Sequence, residues 1–195
     1  MGKAEKTRQF IIEQVAPIFN KKGYAGTSLS DLTEATGLTK GSIYGNFHDK
    51  EEVAIAAFEY NLQNLNTTMW QGVPYEINAV DKLLKFLENA RVNAQKVFDN
   101  GGCPILNTAT ENDDGNPNLK LKAVIALENW KNKLQGVIEE GIAKGELKPI
   151  NAEQLAVKIV TVIEGTNVLA KTTGIQKYLH FNVDGLIEDI ERIVV

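Results

Sequence analysis

Two histidines and a single cysteine leave this 195-residue chain few groups for nucleophilic or metal chemistry. His48 and His180 stand far apart and in no metal-ligand spacing, and Gly101-Gly102 lacks the lysine that would complete a phosphate-cradling loop. No catalytic residue, metal site or cofactor is expected. A different chemistry concentrates in residues 27–50, TSLSDLTEATGLTKGSIYGNFHDK. Here stand the hydroxyls of Thr27, Ser28, Thr39 and Ser42, the ammonium groups of Lys40 and Lys50, the phenol of Tyr44, the amide of Asn46 and the imidazole of His48. Hydroxyl and amide donors near helix N-termini suit phosphate, because the positive end of the helix dipole lies there. A lysine reaches a guanine edge or a phosphate equally well. These groups recognise a polyanion and base edges; they do not make or break bonds.

Such donors need short, rigid elements to aim them. Ser28 caps a first helix, with Asp31 three residues on, and Leu29, Leu32 and Ala35 fall on one stripe. Gly37 stops that helix. Thr39 caps a second, carrying Lys40 to Asn46, and Asp49 caps a third with Glu52 in capping-box register. Only Ile43 and Phe47 of the second helix look like core anchors. Its two glycines, Gly41 and Gly45, cost about 1 kcal/mol each relative to alanine. Close approach to another surface is a reason to tolerate that cost, and the major groove of DNA fits a helix with small residues, hydroxyls and a cation on its open side.

The run resembles the helix-turn-helix of the TetR/AcrR family of bacterial transcriptional repressors. The matching residues are Gly23-Tyr24, Thr27-Ser28, the Leu32/Ala35/Gly37 pattern, Lys40-Gly41-Ser42-Ile43-Tyr44, Phe47 and Asp49-Lys50-Glu51. The resemblance implies an all-α chain with a three-helix DNA-binding domain at residues 1–48 and a larger helical effector-binding and dimerisation domain at 49–195. It implies that Gly41, Ser42 and above all Tyr44 meet DNA. By position, Thr27, Ser28 and Thr39 suit phosphate contacts or caps, Lys40 a guanine edge or a phosphate, and His48 and Lys50, at the exit of the helix, the DNA backbone. Asn46 lies where such helices vary with the operator. The expected function is a ligand-responsive repressor on a near-palindromic operator. A helical adaptor that binds protein and no DNA is the alternative outside this class.

Charge is arranged to match. Residues 1–50 hold seven Lys/Arg and five Asp/Glu, net +2, while the remainder carries −6 of the total −4. A composition of 43% hydrophobic and 24% charged residues is that of an ordinary folded protein. No apolar run approaches the roughly 20 residues a membrane span requires, and the polar start lacks a signal peptide's apolar core, so a cytoplasmic protein is expected.

Helical periodicity carries the rest of the chain. A first helix over about 4–22 has the stripe Phe10, Ile11, Val15, Ile18, Phe19, with Pro17 expected to kink it. Further helices are expected over about 50–70, 77–99, 103–111, 118–144, 152–173 and 176–194. Leu121, Val124, Leu127, Trp130 and Leu134 read as the apolar set of the long helix at 118–144. The helix at 152–173 is apolar over more than one face and must be covered on two sides, so the last two helices can bury one side on their own core and the other on a partner; the resemblance implies a homodimer through residues 152–194. Trp70, Phe86 and Trp130 are candidates for an apolar effector pocket. Cys103 and Asn107, part of a Gly102-Cys103-Pro104, Asn107, Glu111 run similar to one branch of TetR-like effector domains, join them. A thiol at a helix N-terminus also raises the alternative of a redox or electrophile sensor acting through Cys103, against a small buried hydrophobe.

Overall fold

The computed structural model describes residues 2–195, in which every element is helical apart from one bridge between Leu147 and Val194. Helix α1 (Lys3–Gly26) buries Ile11, Val15 and Phe19, four residues apart and therefore on one line. Phe10 stays 40% exposed, so the buried stripe is narrower than the sequence suggested. The irregularity also lies elsewhere than expected. Pro17 sits inside α1 without ending it, while Gly23, at φ 74°, breaks the helical path. Proline removes one hydrogen bond, to the carbonyl of exposed Glu13, whereas a left-handed residue turns the chain outright.

Helix α2 (Leu29–Thr36) opens with both halves of a capping box: Asp31 N donates to Ser28 Oγ (3.2 Å) and Ser28 N donates to Asp31 Oδ2 (2.7 Å). It closes on left-handed Gly37. Helix α3 (Lys40–Tyr44) is capped by Thr39, whose Oγ1 accepts from Ser42 N at 3.2 Å. Helix α4 (Lys50–Met69) is capped by Asp49, which accepts from Glu52 N at 2.8 Å. Glu52 itself reaches one residue further back than a capping box would, to His48 N at 2.6 Å. Ile11, Val15, Phe19, Leu32, Ile43, Phe47, Val53 and Ala57 share one core with Leu119.

After a 3-10 turn (Val73–Tyr75), the helix expected at 77–99 is in fact two, α5 (Ala79–Val92) and α6 (Ala94–Asp99). Asn93 between them has φ −98°, ψ 2°, and its side chain donates to Asn89 O at 2.9 Å, the competition for helical carbonyls that asparagine brings. Helix α7 (Pro104–Asn112) has proline at its start, behind Cys103. Helices α8 (Pro117–Ala143), α9 (Ala152–Thr173) and α10 (Lys177–Glu191) complete the chain. The buried line of α8 runs through Leu119, Ala123, Ala126, Trp130, Leu134 and Ile138, and Leu121 and Val124 lie outside it, exposed.

Packing divides the chain into two compact units. One runs to Leu65 and takes in Asp99–Val124; the other comprises Asn66–Phe98 and Ile125–Val195. A cut between residues 48 and 49 therefore does not follow the packing. Val53, Ala54 and Ala57 of α4 close the core of the head. Helix α7 is bonded to α1 as well: Asn107 Nδ2 donates to Asn20 O (3.0 Å), and the Glu111 carboxylate accepts from Tyr24 N (2.8 Å) and Ala25 N (2.9 Å). Gly23 is needed there because its φ of 74° strains any L side chain; a Cβ would also stand 2.5 Å from a Glu111 carboxylate oxygen and displace it. In the second unit the last residues fold back on the turn after α8, with Lys148 N donating to Ile193 O at 2.7 Å.

Candidate nucleic-acid interface

The first unit presents its donors from three short elements. Ile43 and Phe47 are buried to 0% and 2% exposure and hold α3 against the core. Around them Thr39, Lys40, Gly41 and Ser42 are exposed, and Tyr44 and Asn46 are half-buried. The structure thus gathers the α3 candidates on the open side of one helix. Gly41 has no internal reason to be glycine, since a Cβ would meet nothing nearer than Thr39 Oγ1 at 3.9 Å. Ser28 is exposed at the start of α2, and His48 is exposed in the turn before α4. Lys50 lies over the Tyr24 ring, 4.6 Å from its centroid, which places the ammonium group beside the same turn. Thr27 departs from expectation. It is 1% exposed and its hydroxyl donates to Gly23 O at 2.6 Å, so its side chain ties the end of α1 and faces no solvent.

The carboxylates of Asp31, Asp49 and Glu52 near this face are all occupied. Lys22 Nζ, 2.5 Å away, and the Ser28 N–H hold the Asp31 carboxyl well below the usual carboxylate range. The Glu52 N–H does the same for Asp49, with His48 adding to it. The His48 N–H, followed by Arg8, lowers Glu52. Each stays ionised at neutral pH, and each is turned to a helix start or a cation. The pairing of Arg8 with Glu52 escaped notice in the sequence, which gave Glu52 only a capping role. The two lie in different helices, α1 and α4, so no spacing links them; only the three-dimensional contact of 2.8 Å does.

Comparison with known proteins decides the class. Residues 11–57 match the family model described as bacterial regulatory proteins, tetR family. Residues 79–186, more than half of the chain, match the tetracyclin repressor-like C-terminal domain. The chain belongs to the TetR family. It is 39% identical to a TetR-family transcriptional regulator from Cytophaga hutchinsonii, covering 100% of this chain and 98% of that one with a TM-score of 0.89. A TetR transcriptional regulator from Chloroflexus aurantiacus J-10-FL is 36% identical over the same shares, with a TM-score of 0.93. The HTH-type transcriptional repressor DhaR of Mycobacterium sp. (strain GP1) is 25% identical over 72% of this chain and 70% of its own length. This TetR-family chain is accordingly a DNA-binding transcriptional regulator, and the adaptor alternative falls away.

The effector candidates of this TetR-family regulator are divided between its units. Trp70, Phe86 and Trp130 come together in the second. Trp70 and Phe86 centroids lie 4.7 Å apart, and Phe86 meets Trp130 edge-on at 5.8 Å. Trp130 Nε1 donates to Asn66 Oδ1 at 2.6 Å, and Lys133 Nζ stands 3.7 Å over the Trp70 ring, its pKa pushed down by desolvation. All three rings are buried. Cys103 and Asn107 belong to the first unit, where Asn107 fastens α7 to α1. Cys103 is 3% exposed and makes no side-chain cap, which favours the buried hydrophobe over the sensor. On α9 and α10, Val157, Val168, Leu169 and Phe181 remain exposed. Among the described residues no helix is long and apolar enough to cross a membrane.

Proposed function

We propose that this regulator is a cytoplasmic repressor that binds a near-palindromic double-stranded operator as a homodimer and responds to a small-molecule effector. The observation that carries the reading is the open face of α3, where Lys40, Gly41, Ser42 and Tyr44 stand exposed or half-exposed on a helix anchored in the core by Ile43 and Phe47. Lys40, Ser42 and Asn46 address base edges, and Tyr44 reaches the backbone or a thymine methyl. Ser28, Thr39, His48 and Lys50 meet phosphates and set the register. Thr27 acts from behind, through the backbone it ties.

The uncovered apolar side chains of α9 and α10 support dimerisation through residues 152–194. Two such heads enter successive major grooves, about 34–36 Å apart. The effector acts through the second unit, where the buried Trp70, Phe86 and Trp130 are the candidate lining of its site. Repression is supported by the Mycobacterium relative DhaR, a transcriptional repressor. The deciding experiment is affinity selection of fragmented genomic DNA on the purified protein at near-physiological salt. Wild type enriches one near-palindromic fragment, and Tyr44→Ala loses that enrichment. Equal retention of all fragments by wild type, fading with added salt, would reduce the activity to non-specific phosphate binding.

A further inference from the structure

A recognition helix must be fixed in depth and in roll. Ile43 and Phe47 are four residues apart, so together they define one line of contact with the core. That line sets how deep α3 sits, and Leu38, packed on the same core just before the cap, pins its start, but rotation of its C-terminal end about that line is left free. The helix has five residues, two flanking or internal glycines and no basic residue in its last turn. Nothing within α3 resists a roll, yet a roll of tens of degrees would carry Lys40, Ser42 and Tyr44 off the base edges they are to read.

One side chain from outside supplies the missing constraint. Arg8 of α1 donates from Nη1 to Asn46 O at 2.6 Å, a carbonyl at the negative end of α3. Its guanidinium carbon lies 4.0 Å from the centroid of the Phe47 ring. Its Nη2 meets Glu52 Oε1 at 2.8 Å, and the other oxygen of Glu52 accepts from His48 N at 2.6 Å. Three consecutive residues, Asn46, Phe47 and His48, are thus gripped through a carbonyl, a ring face and an amide by a single arginine–glutamate pair. We propose that Arg8, working through Glu52, is the positioning residue that fixes the roll of the recognition helix, and that it acts without touching DNA. The inference rests on the DNA-reading role of α3 proposed above. Only a planar fork can donate to a carbonyl, pair with a carboxylate and stack on a ring at once, so lysine is no substitute.

Two measurements on the full chain test it. Without DNA, amide hydrogen exchange in Arg8→Lys is expected to quicken roughly tenfold at Asn46, Phe47 and His48 while α2 keeps its wild-type protection. Unchanged exchange at those three amides would overturn the proposal, as would equal acceleration throughout α2, which would mean general unfolding of the head. The second measurement uses the fragment selected by wild type and a scrambled duplex of equal length, each titrated across salt. Arg8→Lys, and more weakly Glu52→Gln, is expected to lose about tenfold in affinity for the selected fragment, the scale of a charged hydrogen bond, with scrambled-duplex affinity and salt slope unchanged. A slope lower by about one would make Arg8 a phosphate contact and sink the positioning role. If wild type selects no fragment, the operator reading fails by itself, and the exchange measurement still decides whether Arg8 holds the end of α3.

Discussion

Gly41 and Gly23 show at single positions how one residue type answers to two different demands. At Gly23 the backbone takes a φ of 74° and the Glu111 carboxylate fills the space a Cβ would need. At Gly41 nothing inside the molecule forbids a side chain. Alanine at Gly41 should therefore leave the thermal midpoint unchanged or raise it, by up to about 1 kcal/mol of helix propensity. It should also cost roughly tenfold in affinity for the selected DNA, the scale of one lost base contact. Thermal unfolding and fluorescence anisotropy on one sample check both; a loss of stability without a loss of affinity would make Gly41 structural. The open face of α3 was legible in the sequence because it is local: Lys40 to Tyr44 is one short helix whose apolar anchors are easily subtracted. Thr27 was misread and Arg8 missed for the same reason. Burial of a threonine under Gly23, and a contact between residues in two different helices, are set by tertiary packing.

Individual helices begin and end where short-range chemistry says they should, and fail to where a single side chain intervenes. The Ser28–Asp31 box, the Thr39 cap and the Gly37 stop are written in three- and four-residue patterns. At the break at Asn93 one amide folds back on its own helix, a local event that periodicity averages away. The box on α2 makes a pH prediction. Lys22 and the Ser28 amide hold the Asp31 carboxyl below its ordinary value of 3.8. Its contribution to the head is complete above that value and is lost as pH falls through the lower, folded-state value. Asp31→Asn should be less protected than wild type at pH 7 in amide exchange over α2. The gap should shrink as the pH drops below about 4, where the carboxylate of the unfolded chain takes up its proton while the folded one is still ionised. A difference that stays constant down to pH 2 would mean the ionised carboxylate does not stabilise α2.

At the scale of the whole chain, the two units have different tasks and different surfaces. The second leaves Leu169 and Phe181 about half or more exposed on its last two helices, which a monomer gains nothing by keeping apolar. Leu169→Asp should leave each protomer folded, because that side chain is not in its own core. It should weaken self-association on the order of a hundredfold by placing an unpaired charge in the interface, and should reduce operator binding to that of a half-site. Sedimentation equilibrium decides, and an unchanged dimer would move the interface elsewhere. The aromatic cluster of this unit has one more consequence. Both tryptophans of the chain, Trp70 and Trp130, belong to it, and the first unit has none. Excited at the red edge of aromatic absorption, the protein emits from the effector unit alone, and its head is optically dark. A compound library can then be screened by intrinsic emission with no label and no known operator, and melting of the head will pass unseen in the same cuvette.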